Sequence, residues 1–294
     1  MSWVIYPIAV AFIWAIIDII DKHVIDGELK DPLVCTTISG FVLFLLFSII
    51  AVVKGAVFTV PNLARVILIL AGAIYAIAVI FYYSAFQKER VSILVPLFPL
   101  RALFVTLISF LVLGEKLTFL QYLGIVVLVI GAILIAYKKG VKYKLTFPVL
   151  LILVSVFFRS IRDIFVKFSS GLGVYDVFNL LFWVFYGYFI VAGVIFIFHH
   201  PFIMSKYKKG AEHIVLNNFL AFANLSIYFY AISKHSVSLI VALASISPLI
   251  VFFLVFTITK LRPSIICEKF NREELMLYLS ATVLVVVGAI LILI

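Results

Sequence analysis

The sequence predicts an all-α integral membrane protein of ten transmembrane helices, arranged as two inverted five-helix repeats. Two observations carry the first part. Hydrophobic residues make up 66% of the 294 residues and charged residues 12%, and the mean hydropathy is +1.31, whereas soluble domains run at about 45–50% apolar and about 25% charged. The apolar residues also fall into ten runs of bilayer-spanning length, at about 20 residues per roughly 30 Å of hydrocarbon. A third observation gives the repeat: Phe12–Lys22 (FIWAIIDIIDK) and Phe157–Lys167 (FFRSIRDIFVK) share Phe, Ile, Asp, Ile and Lys at an offset of 145. Five crossings per half, an odd number, turn the second copy over in the membrane.

In order, the spans are expected at Trp3–Ile20, Leu33–Val53, Ala64–Phe81, Val91–Leu113, Phe119–Tyr137, Pro148–Val166, Val174–Phe198, Ile214–Ile232, Val237–Ile258 and Leu275–Ile294. Unbroken runs of Val, Ile, Leu and Phe exclude a barrel, whose strands alternate apolar and polar residues. The first run has no basic stretch before it and no small-residue cleavage site after it, so it reads as a mature helix. The repeats are expected at 1–137 and 148–294, joined by a basic linker, 138–147. A second match supports the pairing. Tyr82–Phe98 and Tyr228–Ala244 share seven of seventeen residues at an offset of 146, polar positions included.

Of the 23 Lys and Arg residues, fifteen lie in loops after odd-numbered spans, five in loops after even-numbered spans and three, Arg101, Arg159 and Arg162, within spans. The net charge of +10 is therefore a topology signal rather than a nucleic-acid one, and it puts the fifteen-charge side in the cytoplasm and both chain ends outside. Cys35 and Cys267 stand far apart without ligand spacing, so neither a metal nor another cofactor is expected.

Ionisable residues inside spans are the candidate site, because a charge at the bilayer centre costs at least about 2.5–3.5 kcal/mol and must be compensated. Arg101 follows Pro96 and Pro99, which free backbone carbonyls to face a cavity. It reads either as an anion-binding fork at the midplane or as the structural partner of an Asp on a neighbouring helix. Arg159 and Asp163 share a helix face, with Arg162 beside it. Asp18 and Lys22 repeat the spacing of Asp163 and Lys167; the acids either pair with those lysines near the helix ends, or they balance Arg101 or take up a coupling proton. Setting Arg101, Arg159, Arg162, Lys22 and Lys167 against Asp18 and Asp163 leaves three positive charges in excess, which favours an anionic or zwitterionic small-molecule substrate.

Asn224, Tyr228 and Ser247 are the polar candidates of the second half, Ser247 standing where the offset puts Arg101. Tyr82, Trp183 and Tyr186 can stack on a substrate and also offer a donor. For each of these, packing against neighbouring helices is the blander role. Gly72, Pro96, Pro99 and Pro248 are candidate bending points, and the first, third, fourth, sixth, eighth and ninth spans are expected to form the cavity. Asp18-x-x-Asp21 is the nearest thing to a metal-binding acidic motif, but no second acidic cluster completes a two-metal site, so no enzyme is expected. A channel would show rings of one residue type or a repeated filter.

Trp14–Lys22, the Tyr82-Tyr-Ser-Ala start of the fourth-span region, the Leu113-Gly-Glu-Lys-Leu-Thr118 turn and Gln121-Tyr-Leu-Gly124 resemble the drug/metabolite transporter superfamily, EamA type. Ala15 and Arg159 depart from the pattern, and in the second half Glu268-Lys269 stand in a longer polar loop for Glu115-Lys116. The resemblance implies a ten-helix secondary-active transporter working by alternating access in the cell membrane. A nucleotide-sugar carrier or a flippase of lipid-linked substrates on the same fold is the alternative. The resemblance also implies both ends in the cytoplasm, opposite to the charge count.

Overall fold

A computed structural model describes residues 2–27, 29–54, 60–89, 91–135, 146–174, 176–199, 208–261 and 272–294. All its regular structure there is helical: α1 (Ile5–Gly27), α2 (Pro32–Val53), α3 (Asn62–Phe86), α4 (Val91–Leu94), α5 (Leu100–Leu113), α6 (Phe119–Ile135), α7 (Phe147–Gly171), α8 (Val177–His199), α9 (Lys208–Lys234), α10 (Val237–Ala244), α11 (Ser247–Leu261) and α12 (Arg272–Leu293), with short 3-10 turns. These make ten spans, because α4 with α5 form the fourth and α10 with α11 the ninth. The linker residues 138–145 and the Glu268-Lys269 pair lie outside the described residues.

Among the described residues five stretches are long and apolar enough to cross a membrane: Pro32–Val53, Asn62–Phe86, Val177–His199, Gly210–Lys234 and Val237–Thr257. The others carry the interior charges, are split, or are shorter. Two expected boundaries shift for one reason. The first and sixth spans run on to Gly27 and Gly171 rather than stopping at Ile20 and Val166, because their polar last turns are held by other helices.

Local chemistry sets the starts and stops. Asp31 caps α2 by accepting from Leu33 N at 2.9 Å and Val34 N at 3.3 Å, with Pro32 in the first turn. Thr118 and Gln121 form a capping box at α6: Thr118 N donates to Gln121 Oε1 at 3.0 Å and Gln121 N to Thr118 Oγ1 at 3.3 Å. Gly114 ends α5 in the left-handed region at φ 64°, where a side chain would be strained. The fourth span breaks where Pro96 and Pro99 fall, passing through a 3-10 turn at Val95–Leu97. The ninth breaks at Ser245–Ile246, with Pro248 in the first turn of α11.

Packing follows the inverted repeat. The first span packs on the eighth as the sixth does on the third; the second packs on the seventh and the fifth on the tenth across the pseudo-twofold axis. Gly72 is not a hinge: α3 is continuous through it, and a Cβ there would lie 1.7 Å from Val184 O, while one on Gly187 would lie 2.0 Å from Ile69 O. The two glycines let α3 and α8 touch backbone to backbone, the usual use of small residues where membrane helices cross.

Candidate functional site

The helix break in the fourth span sets Arg101 in the first turn of α5, inside the bundle. Its Nε donates to Asp163 Oδ2 at 2.9 Å, its Nη2 also reaches that oxygen, and Nη2 donates to Tyr228 Oη at 2.6 Å. Tyr228 Oη lies 2.8 Å from the same carboxylate oxygen, and Arg162 holds Oδ1 through Nε at 3.1 Å and Nη2 at 2.7 Å. The fork of Arg101 stacks 5.1 Å from the ring centre of Trp14, and Arg162 lies 4.2 Å from that of Tyr75. Asp163 is fully buried and Arg162 1% exposed. Charges so deep must be paired, and this triad pairs all three internally.

The corresponding place in the first half is built differently. Tyr82 Oη sits 3.0 Å from Asp18 Oδ1 and 3.0 Å from Asp21 Oδ2. Asp21 Oδ1 also accepts from Tyr83 Oη at 3.1 Å and Asn217 Nδ2 at 2.8 Å. Among the described residues no guanidinium within ion-pair distance of Asp18 matches Arg101, since repeat symmetry supplies Ser247 instead, whose Oγ has no partner. Arg159 stands near by, 4.8 Å from the Tyr82 ring centre, and its Nε has no partner either.

Two cavities meet here. The larger, with an empty volume of about 570 Å³, is lined by Trp14, Asp18, Asp21, Tyr75, Tyr82, Tyr83, Arg159, Tyr188 and Asn217 among others. The second, about 490 Å³, shares Trp14, Asp18 and Arg159 and adds Arg101, Ser245, Ser247 and Pro248. The six expected spans contribute, joined by the second through Ser39 and the seventh through Tyr188. Among the described residues no three His, Cys, Asp or Glu side chains gather as metal ligands.

The expected candidates therefore separate. Arg101, Arg159, Tyr82, Asp18 and Ser247 line the cavities, while Arg162, Asp163 and Tyr228 form the buried wall behind them. Asn224 ties that wall together, accepting from Trp14 Nε1 at 2.9 Å and donating to Val10 O at 3.3 Å. Lys22 does not pair with Asp18. Its Nζ donates to Asp26 at 2.8 Å, Phe86 O at 2.5 Å and Glu89 O at 2.8 Å. Lys167 likewise turns from Asp163 to Ser233 O at 3.5 Å and His235 O at 2.7 Å. Each lysine closes the end of its own repeat by binding carbonyls that a helix terminus leaves free. Trp183 and Tyr186 line neither cavity: Trp183 lies under Arg65, and Tyr186 packs on Phe44.

Asp21, Trp14, Tyr75 and Tyr188 belong to the site without having been singled out for it. Asp21 reads as a helix-end residue because Lys22 follows it. Its three-residue spacing from Asp18, which puts both on one helix face, is the signal that finds it. With the two lysines removed from the interior and Asp21 added, three guanidinium groups face three carboxyl groups, and the positive excess of three expected from sequence falls to none if all three carboxyls ionise and to one where one of them keeps a proton.

Residues 1–137 match the model of the EamA-like transporter family. The first half of the chain is therefore similar to membrane transporters of the drug/metabolite superfamily, the resemblance that its sequence motifs carry. The whole chain is also similar to a crystal structure of a protein, at a TM-score of 0.72 and 15% identity, covering 99% of this chain and 96% of the other. That likeness shows the fold alone and extends it over the second repeat. No curated protein matches.

Proposed function

We propose that the protein moves a small zwitterionic metabolite across the cell membrane by alternating access. The observation that carries this reading is the meeting of opposite unpaired groups in one cavity. Asp18, Asp21 and the unpartnered Oδ1 of Asn217 make an acceptor pole, and the unpartnered Nε of Arg159 with the unpartnered hydroxyl of Tyr188 makes a donor pole. The aromatic faces of Trp14, Tyr75 and Tyr82 suit an ammonium group between them. Arg101 is engaged by Asp163 and serves the wall rather than the substrate. Full burial of Asp163 and Arg162 favours an enclosed solute path over the sideways opening that a lipid-linked substrate needs.

The test is counterflow in liposomes holding the purified protein and a labelled mixture of amino acids. Unlabelled amino acids should compete better than their matched amines or carboxylic acids. Competition by sugar phosphates or nucleotide sugars alone would replace this reading with the nucleotide-sugar alternative. Thermal unfolding offers a second readout, since a ligand at 100 times its Kd stabilises by about 2.7 kcal/mol. Orientation is tested by impermeant thiol labelling of intact cells carrying a cysteine in the Lys138–Lys144 linker. The charge count predicts protection until the membrane is opened; labelling from outside reverses the orientation.

A further inference from the structure

We propose that Asp18 and Asp21, bridged by Tyr82, share one exchangeable proton and form the proton-coupling site, while Asp163 is a fixed structural anion. The proposal rests on reading the cavity as a transport path. Its basis is a count of hydrogens. A phenol has one hydrogen to donate, yet Tyr82 Oη is 3.0 Å from an oxygen of each carboxyl group. If that hydrogen goes to one carboxylate, the other contact sets lone pair against lone pair between like charges. Asp21 has two further donors, Tyr83 and Asn217, whereas among the described residues Tyr82 is the one donor on Asp18. The missing hydrogen is therefore carried by Asp18, whose carboxylic acid donates to Tyr82 Oη while Tyr82 donates to Asp21.

An independent observation points to the same shortage. Asn217, 4% exposed and among the residues that line the cavity, turns Nδ2 to Asp21 and leaves Oδ1 with no donor. The second repeat supplies the control. There the equivalent Tyr228–Asp163 contact is completed by Arg101, so a guanidinium occupies the place that the proton takes in the first. Two carboxyl groups that close together do not both ionise without a cation, and their titration belongs to the pair.

The groups facing Asp18 are Asp21 on its own helix, Tyr82 and Tyr83 from α3, Arg159 from α7, and Arg101 across the second cavity from α5. Tyr188 of α8 lines the same space; α9 contributes the uncharged Asn217 and α10 and α11 the uncharged Ser245 and Ser247. Arg159 is the one cation there without an ion-pair partner among the described residues. In the coupled step the Asp18 O–H bond breaks, the proton passes to water in the cavity, and Arg159 or the ammonium of the substrate takes its place beside the carboxylate.

Infrared difference spectroscopy of the protein in liposomes over a pH series tests this without any substrate, so its outcome is independent of the substrate reading. The wild type should show one carboxylic-acid carbonyl band that disappears as pH rises. Asp18→Asn and Asp21→Asn should each abolish it, because either change leaves a single carboxylate with a donor of its own. Should one of these not fold, Tyr82→Phe serves in its place and should shift the band. A wild type without the band, a band lost in only one Asn variant, or a band untouched by Tyr82→Phe overturns the sharing. Coupling itself predicts that Asp18→Asn lowers the ratio of pH-gradient-driven accumulation to exchange of labelled amino acids; an unchanged ratio overturns it.

Discussion

In the second repeat, Tyr228 and Asp163 lie 2.8 Å apart with Arg101 and Arg162 closing the remaining valences. In the first, Tyr82 and Asp18 lie 3.0 Å apart and face Asp21, Asn217 and an open cavity. The two pairs descend from matching sequence positions, yet one is a sealed triad and the other a buried acid that lines a cavity. Three substitutions in the repeat pattern make the difference: Ser247 where the first half has Arg101, Val166 where it has Asp21, and Ile17 where the second has Arg162. Inverted halves must work at opposite faces of one cavity. Divergence of this kind lets one half provide rigidity while the other provides exchangeable chemistry.

The comparison breaks most sharply on Asp163→Asn, which leaves two guanidinium groups buried without an anion. Removing one partner of such a pair costs about 3–5 kcal/mol, and the variant should unfold far below the wild type in a detergent melt. Asp18→Asn should stay within about 1 kcal/mol, because the amide replaces the donor of a protonated carboxyl group one for one. Equal losses from the two substitutions would show that the halves are energetically alike.

Gly72→Ala and Gly187→Ala come next, at about 1–3 kcal/mol each for forcing a methyl group into a closed contact. The two should match, since they face each other's helix backbone at 1.7 Å and 2.0 Å. Gly193→Ala, with nothing within 4 Å of its Cβ, should be neutral within about 0.5 kcal/mol. A large difference between Gly72→Ala and Gly187→Ala would mean that one face of the α3–α8 contact can yield.

A loss smaller than that at Gly72 or Gly187 is expected at Glu115. Its carboxylate reaches from the first repeat to the start of α10 in the second, accepting from Val237 N at 3.1 Å, Ser238 N at 3.3 Å and Ser238 Oγ at 2.6 Å. Glu115→Gln should cost about 0.5–2 kcal/mol, the range for a lost helix cap, and raise thiol labelling of a cysteine at Leu239. Unchanged labelling would mean that the Lys167 contact alone keeps this end shut.

Much of this was readable in the chain. Hydropathy gave ten spans because a bilayer imposes length and apolarity locally, segment by segment. The offsets gave the inverted repeat, and thereby the pairing of Asp18 with Asp163 and Tyr82 with Tyr228. Pro96 and Pro99 marked the break in the fourth span, since a lost backbone donor is a local fact. Glycine at 114 marked a turn for the same kind of reason.

The tertiary structure decided who faces whom. Periodicity sets Lys22 one turn beyond Asp18, but only the nearness of the α3 terminus offers its ammonium better acceptors at Phe86 and Glu89. Asp21 reads as an interfacial residue until α9 brings Asn217 against it, and the interior charge balance turns on that contact. Arg101 has the same depth in either reading of the sequence, and only the fold shows that Asp163, from a helix about sixty residues later in the chain, supplies the carboxylate it contacts. Spans follow from each segment's own solvation, whereas the partner of a buried charge is set by helices remote in sequence, where low dielectric makes every unpaired group costly.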